Sequence, residues 1–527
     1  MSNRSGPLSL GAIGRSALIL TGGTAAVQVL AIVRELFVAA RVGVSGELDA
    51  LLIAMVLPTS LSAALTSGIT TALVPAYLEA RMIGGQGEAR RLAGAVIGWA
   101  GLAGLVLWLG LVVFAPAAVA IAGPGLTPAG RESAIAYLPV LAPIAFVAAV
   151  SAILYSVCQA EEQFVAMSIA TLAGSAATLG TMLALWELMG LGALAVGSLV
   201  GPAVSLAILA GSTIRGSIAP IPIPRWDPRL GPLIRHAAPL TLSSAILQIN
   251  VIGDRAIASL LGPGAVSALR YADVLVRTPI GAIGPAWGSA VYPALVQSAL
   301  GEVEASLAAT VERMLHYAIA IFVPLAMLTA AVAPVAVAVA YGRGAFTVDD
   351  VNLTTRGVAA FAPLLVVLMT SPVLVGALNA RRRGRELLIG GVLNVIFNIS
   401  LDIVLGVWLG MPGIALSSSI AQTIVLVYFA RRLARSEDGF ALRGLVRTLG
   451  LATLASAPAS VAIALLSWTG HLPHETIPAL ASLAAVSVIA MAGYLLAASW
   501  IGLDEPRILV RVTLGRLARR SHDGREP

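Results

Sequence analysis

Residues 92–122 have the sequence LAGAVIGWAGLAGLVLWLGLVVFAPAAVAIA, an unbroken run without a charged side chain. A helix that crosses the hydrocarbon core of a bilayer needs about 20 mainly apolar residues, so this stretch is long enough to span a membrane. Comparable stretches recur along the 527-residue chain, which is 58% hydrophobic and 11% charged. A soluble domain contains about 25% charged residues. The composition therefore predicts a polytopic membrane protein.

The hydropathy pattern predicts an all-α membrane protein with fourteen transmembrane helices. Several predicted spans are longer than a crossing requires, and helix tilt would absorb the excess. The predicted spans are 15–40, 48–78, 92–122, 134–158, 164–187, 191–213, 234–261, 268–298, 313–341, 355–379, 386–408, 412–432, 447–468 and 476–500.

The basic residues favour an even number of spans. All 33 basic residues are arginine, and 25 of them fall in the termini and the loops that are cytoplasmic if the amino terminus is inside. Cytoplasmic loops of membrane proteins collect basic residues, and one missed span would invert every later loop. We therefore expect both termini to be cytoplasmic in a bacterial inner membrane. This bias also explains the net charge of +7 without nucleic acid as a partner.

Two segments of the sequence look alike. A charged pair lies deep in the first predicted span and again in the seventh, and a proline interrupts the span that follows each of them. The matching residues are Gln28 with Gln248, Arg34 and Glu35 with Asp254 and Arg255, and Pro58 with Pro279. The two members of each pair lie nearly the same number of residues apart. We call this separation the repeat offset and define it as the number of residues from Gln28 to Gln248.

We interpret the two segments as the openings of two pseudo-symmetric six-helix lobes. Transporters commonly bind their substrate between such halves. Chance similarity between helices rich in Ala, Leu and Val is the alternative.

This repeat predicts the domain organisation. Two six-helix lobes are joined by a proline-rich cytoplasmic linker and followed by two additional helices and a basic cytoplasmic tail. The corresponding residues are 1–213, 214–233, 234–433, 434–500 and 501–527.

Charged residues inside the predicted spans are concentrated in the opening helices of the two lobes. A charge at bilayer depth costs at least about 2.5–3.5 kcal/mol, so it normally faces a cavity or a partner. The planar guanidinium of arginine suits bidentate binding of phosphate. Local pairing at the membrane interface is the alternative. The predicted substrate-binding cavity contains Arg34, Glu35, Asp49, Arg255, Arg270, Asp273 and Arg277.

A second polar group lies in predicted spans 11 and 12. Asn394, Asn398 and Asp402 follow one another at a spacing of four residues, which places them on one helix face. Carboxylate, amide and hydroxyl oxygens suit a hard cation. The residues predict a Na⁺ site, whereas a hydrogen-bond network without an ion is an equally open alternative. The candidate ligands are Asp254, Asn398, Asp402 and Ser418.

Several motifs resemble those of the MurJ/MviN lipid II flippases. They include Val33-Arg34-Glu35, Asp49-Ala50, Leu57-Pro58, Asp254-Arg255-Ala256, Tyr271-Ala272-Asp273 and Arg343-Gly344-Ala345-Phe346. The resemblance covers nearly the whole chain. It implies a flippase of the multidrug/oligosaccharidyl-lipid/polysaccharide exporter superfamily, with a cationic cavity between two lobes and a groove for the lipid tail at the last two spans. It also implies resetting by the membrane potential or by Na⁺.

The resemblance carries Arg34, Asp49 and Asp273 over as cavity residues and matches the four candidate Na⁺ ligands. The chain departs from the family where basic residues are usual. Gln28, Ser62, Ala63 and Val274 stand at such positions, and Arg277 is a candidate substitute about one turn after Val274. A cavity with fewer arginines would also suit a different polyprenyl-pyrophosphate-linked glycan as cargo.

We therefore expect a monomeric alternating-access flippase that moves a polyprenyl-linked glycan lipid, above all lipid II, to the outer leaflet for peptidoglycan synthesis. Its other partners would be membrane lipids, and no cofactor is expected beyond Na⁺ as a coupling ion. The alternatives are a flippase for another lipid-linked oligosaccharide or exopolysaccharide unit and a cation-coupled small-molecule exporter, which would need only twelve spans. An enzyme is disfavoured because the five histidines are scattered and no large outer loop is predicted. A scaffold would leave the buried charges unexplained.

Overall fold

The computed structural model describes residues 10–216, 218–301, 305–436, 440–469 and 476–502. Within these ranges all regular secondary structure is helical, which confirms the predicted all-α class. The predicted tail at 501–527 lies outside the described residues except for its first two positions. The helices are α1 (Leu10–Val42), α2 (Gly46–Val113), α3 (Ala115–Ala122), α4 (Pro128–Leu141), α5 (Ile144–Ala160), α6 (Phe164–Met189), α7 (Leu191–Arg215), α8 (Leu230–Ser259), α9 (Ala265–Leu300), α10 (Leu307–Tyr341), α11 (Val348–Phe361), α12 (Leu364–Ala380), α13 (Gly384–Leu409), α14 (Met411–Ala434), α15 (Leu442–Trp468) and α16 (Thr476–Trp500).

In the described ranges, ten helical segments are long and apolar enough to cross a membrane. They include α4 with α5, and α11 with α12, each pair taken as one segment. Helices α1, α8 and α9 are not among the ten, and these are the helices that carry most of the charges predicted to line a cavity. The count of fourteen spans stays a prediction.

Helix α2 has 68 residues and would be about 100 Å long if straight, far more than the roughly 30 Å hydrocarbon core. Its regular backbone is interrupted at Gly85, where φ is +73°, a conformation that glycine adopts without steric cost. The bounds of predicted spans 2 and 3 leave residues 79–91 as a connecting segment. The chain instead stays helical on both sides of Gly85, so the break between predicted spans 2 and 3 is confined to that glycine.

Contacts within the chain divide it into two compact units. The first comprises Met1–Val38 and Val44–Ser267, and the second comprises Ala39–Gly43 and Ala268–Pro527. Helix α8 therefore groups with the first unit, whereas the predicted lobe boundary assigned it to the second lobe. The reason is that α8 packs along α2 with its backbone close to Gly68, where an added Cβ would overlap the carbonyl oxygen of Ala237.

The repeat inferred from the opening helices is also visible in the helix bounds of the later ones. Helices α4 and α11 both have 14 residues, α5 and α12 both have 17, and α6 and α13 both have 26. Each second member begins one repeat offset after the first. Backbones with positive φ recur at the same offset, at Glu162 and Arg382 and at Gly190 and Gly410. The two halves of the sequence therefore share the same order of helix lengths and the same positions of backbone with positive φ.

The proline-rich linker lies extended against α2. Arg90 Nε donates to the carbonyl oxygen of Ala219 at 3.0 Å, and Trp99 Nε1 donates to that of Arg225 at 3.2 Å. Between these contacts the linker backbone passes so close to Gly94 and Gly98 that an added Cβ at either would overlap it. The described linker residues are thus held on the first unit by hydrogen bonds and by two glycines that allow close approach.

Candidate functional site

The predicted site residues are divided between the two units. Arg34, Glu35, Asp49, Asp254 and Arg255 belong to the first unit. Arg270, Asp273, Arg277, Asn398, Asp402 and Ser418 belong to the second. The roles that the sequence assigns to these residues stay predictions, and the structure adds their local geometry.

Arg34 and Glu35 form an ion pair on α1, with Arg34 Nη2 at 3.2 Å from Glu35 Oε1. Glu35 is only 6% exposed, whereas the Arg34 side chain keeps 26% of its surface exposed. A guanidinium has five N–H donors, and this contact engages one of them. Arg34 is therefore a charged group on an apolar helix that has donors left for a phosphate. Asp254 and Arg255 follow on α8, where both are half-buried and both make polar contacts.

Asp49 is buried at the amino end of α9. One carboxylate oxygen accepts the backbone N–H of Gly264 at 2.6 Å, and the other accepts that of Ser267 at 2.7 Å. The first N–H groups of a helix have no partner within the helix and carry partial positive charge, so a carboxylate stabilises them. Sequence reasoning missed this contact, although the Gly-Pro-Gly segment at 262–264 does signal a helix start. The structure thus gives Asp49 a structural contact beside its predicted cavity role.

On α9, Asp273 and Arg277 form an ion pair one helical turn apart. Both side chains are partly exposed, at 35% and 45%. Arg270 lies one turn earlier, is half-buried and makes polar contacts of its own. Alternating acidic and basic groups therefore line a stretch of this helix, and Arg277 pairs with Asp273.

The second polar group centres on Asp402, which is fully buried on α13. Asn398 Nδ2 donates to one of its carboxylate oxygens at 3.0 Å, and the hydroxyl of Ser417 on α14 donates to the other. Ser418 instead bonds the carbonyl oxygen of Ile414 in its own helix, at 3.4 Å. The structure therefore brings Ser417 to the carboxylate, and not the Ser418 that the sequence nominated, because consecutive helical residues point about 100° apart.

The oxygen atoms around Asp402 fit a hard cation. Asn394 Oδ1, one turn before Asn398, is buried without a hydrogen-bond partner in the described structure. A carboxylate with neighbouring amide and hydroxyl oxygens is a donor set that Na⁺ accepts, since hard cations prefer oxygen ligands. Within the described residues no three His, Cys, Asp or Glu side chains form a metal-binding group.

The helix pair that corresponds to α13 and α14 in the first half of the repeat has no such carboxylate. Gly174 and Gly197 precede Asn394 and Ser417 by one repeat offset. Added Cβ atoms at these glycines would lie 2.8 Å from the carbonyl oxygen of Gly201 and 2.6 Å from that of Thr178. Helices α6 and α7 thus pack through small residues, as membrane helices often do. The fold of this helix pair does not require a buried acid, which favours a functional role for Asp402.

Comparison with solved structures shows which fold the chain has. The chain superposes on an inward-facing MATE-family multidrug resistance transporter of the MOP superfamily with a TM-score of 0.59 and 16% identity, over 82% of this chain and 94% of the other. The two chains therefore share a fold. The chain belongs to the lipid II flippase MurJ family, whose model matches residues 38–482. This confirms the resemblance found in the sequence and implies an inner-membrane protein.

Individual relatives agree with the family assignment. A probable lipid II flippase MurJ of Thermotoga maritima is 24% identical over 433 residues, which are 80% of this chain and 86% of the relative. One from Rhizobium meliloti is 24% identical over 463 residues, 85% of either chain. A structure of the lipid II flippase MurJ in an inward closed conformation gives a TM-score of 0.77 at 20% identity, covering 94% of this chain and all of the other.

Proposed function

We propose that this protein is an alternating-access flippase that moves lipid II from the cytoplasmic to the outer leaflet for peptidoglycan synthesis. Membership of the lipid II flippase MurJ family over residues 38–482 is the observation that carries the proposal. Related folds have been solved in inward-facing and outward-facing conformations in MATE-family transporters, which supports alternation. The activity is transport, and no bond in the cargo is made or broken.

In this proposal the pyrophosphate of the cargo binds to the arginines predicted to line the cavity. Arg34 is the first candidate, because it has guanidinium donors beyond the one that contacts Glu35. The ion pair with Glu35 would hold Arg34 in position when no cargo is bound, and a phosphate would bind the remaining donors. Arg255, Arg270 and Arg277 would supply further positive charge, and Asp273 would hold Arg277 in the same way.

The proposed architecture follows the sequence. Fourteen spans form two six-helix lobes and two additional helices, both termini are cytoplasmic, and the protein acts as a monomer. Recurrence of helix lengths at the repeat offset supports the two-lobe part of this arrangement. The excess of arginine in alternate loops supports the orientation.

We further propose Na⁺ as the coupling ion, with Asp402 as its charged ligand. Asn398 and the buried Oδ1 of Asn394 would add neutral oxygens on the same helix, and Ser417 would turn its hydroxyl lone pair toward the ion. Asp254 and Ser418 remain candidate ligands from the sequence. Bound Na⁺ would neutralise the buried carboxylate and so stabilise the conformation that holds it.

A second candidate cargo is another polyprenyl-pyrophosphate-linked glycan, as used for exopolysaccharide. Gln28, Ser62, Ala63 and Val274 favour it, because they replace basic residues usual in the family and reduce the positive charge available to the cargo.

The test is depletion of the protein in its own bacterium, followed by measurement of the lipid-linked precursors that accumulate in the cytoplasmic leaflet. We expect lipid II to accumulate and wall synthesis to stop. Normal wall synthesis with loss of an exopolysaccharide would instead identify the second cargo. Complementation with Arg34→Gln should fail although the protein reaches the membrane, whereas the exposed control Arg131→Gln should restore growth. Growth restored by Arg34→Gln would exclude the proposed role of that arginine.

A further inference from the structure

A groove of about 770 Å³ runs between α6 and α7 of the first unit, apart from every residue assigned to the cavity or the ion site. Its walls are apolar along most of its length, and Val165 and Ile169 keep 55% and 52% of their surface exposed. Both helices are apolar enough to span the membrane. The groove therefore faces a hydrocarbon environment along α6 and α7.

One end of the groove is polar. Gln163, Ser212 and Arg215 lie there, and the Ser212 hydroxyl donates to Gln163 Oε1 at 2.6 Å. Arg215 is exposed and forms no ion pair in the part of the chain that the structure describes. The arginine distribution places Arg215 at the cytoplasmic surface. The Arg215 cation and the Gln163 amide thus lie where the apolar groove meets the headgroup layer.

The length of the groove matches one leaflet. From Arg215 to Val204, α7 rises about 16 Å, close to half of the roughly 30 Å hydrocarbon core. We propose that this groove is a binding site for an anionic diacyl phospholipid of the cytoplasmic leaflet. The lipid phosphate contacts Arg215 and Gln163, and one acyl chain lies along Ile169 and Val204. A long polyprenyl tail would extend well beyond a groove of this length.

The second half of the repeat carries larger side chains at two of the equivalent positions. One repeat offset later, Tyr428 replaces Ile208 and Arg431 replaces Gly211. The Arg432 guanidinium lies over the Tyr428 ring, 5.4 Å from its centroid. In the first half, Gly211 leaves the floor of the groove clear, since nothing lies within 4 Å of a Cβ added there.

The full-length protein, purified in detergent, can be tested by native mass spectrometry with palmitoyl-oleoyl phosphatidylglycerol and with phosphatidylcholine that carries the same chains. Gly211→Leu fills the groove, and its matched control is Gly180→Leu on exposed α6, where an added Cβ also meets nothing within 4 Å. Arg215→Gln removes the cation, and its control is the repeat-equivalent Arg435→Gln.

We expect the protein to bind phosphatidylglycerol roughly tenfold more tightly than phosphatidylcholine, because both lipids present a phosphate to Arg215 but the choline cation offsets its charge in the second. Arg215→Gln should remove this preference, Gly211→Leu should abolish retention of both lipids, and both controls should behave as wild type. Inorganic phosphate should not displace either lipid, because the acyl chain in the groove contributes to the binding free energy of the lipid. Equal retention of both lipids, retention unaffected by Gly211→Leu, or displacement of phosphatidylglycerol by a long-chain polyprenyl phosphate at equal concentration would each overturn the proposal.

Discussion

The Asp49 carboxylate and the backbone N–H of Ser267 are joined by a 2.7 Å hydrogen bond between residues 218 positions apart. The second oxygen of the same carboxylate binds the N–H of Gly264, so one buried side chain satisfies two donors at the start of α9. No such partner is available within a helix for its first N–H groups. Asp49 therefore fixes the point where α9 begins.

Asp49→Asn should destabilise the protein, because the amide presents N–H groups to backbone donors. Loss of a hydrogen bond to a buried charged group costs about 1–3 kcal/mol. The thermal unfolding midpoint in detergent measures the effect. Glu47→Gln is the control, since Glu47 lies in the same first turn of α2 but is exposed, and it should leave the midpoint unchanged. Equal midpoints for the two variants would contradict the structural role of Asp49.

Ser417 and Ser418 should differ sharply although they are neighbours. Ser417→Ala removes a donor from the buried Asp402 carboxylate and should lower the unfolding free energy by about 1–3 kcal/mol. Ser418→Ala removes only a weak bond to its own helix and should have little effect. Thermal midpoints in NaCl and in an equal concentration of choline chloride report both stability and ion binding. A larger effect for Ser418→Ala would favour the site nominated from the sequence.

Na⁺ should raise the midpoint of the wild-type protein, because a ligand that binds only the folded state stabilises it. Asp402→Asn should abolish this Na⁺-dependent increase, since the neutral amide cannot balance the charge of the ion. Thr178→Val, at the repeat position of Asn398 in the first half, should retain the increase. If Asp402→Asn keeps a full response to Na⁺, the ion binds elsewhere and the Asp402 group is a hydrogen-bond network.

Glu161 should be important for the stability of the first unit. It accepts hydrogen bonds from Tyr77 at 2.8 Å, from Gln86 at 2.8 Å and from Arg81 at 3.0 Å, and its side chain is only 13% exposed. Glu161→Ala leaves the buried Tyr77 hydroxyl without this acceptor and should cost about 1–3 kcal/mol. The adjacent, exposed Glu162→Ala is the control, and the unfolding midpoint is again the measurement. A shift for Glu162→Ala as large as that for Glu161→Ala would show that the network is not responsible.

Gly98→Val should release the linker from α2, since its side chain would overlap the backbone of Ile223 and Pro224. Limited trypsin digestion measures this, because cleavage after Arg225 and Arg229 needs an accessible, flexible backbone. Cleavage there should become several-fold faster. Gly110→Val is the control in the same helix, where an added Cβ meets nothing within 4 Å. Unchanged cleavage in Gly98→Val would mean that the linker is not held at that glycine.

The sequence alone predicted the all-α membrane class, the family and the repeat. Each of these depends on a local or periodic signal. The length of an apolar run indicates whether a helix is surrounded by lipid or by water. The motif around Arg34 and Glu35 is contiguous in the chain. The repeat offset survives in the sequence because both halves keep their prolines in register. Such signals can be read without knowing which helices touch.

The tertiary structure decided which side chains meet. Only packing distinguishes Ser417 from Ser418 at Asp402, because it depends on how α14 is rotated against α13. Likewise, the bond from Asp49 to the start of α9 joins residues that are distant in sequence, and no periodic pattern encodes such a pair. The local sequence determines where each helix forms and how apolar it is. The angle and depth at which two helices pack determine which of their polar groups form contacts.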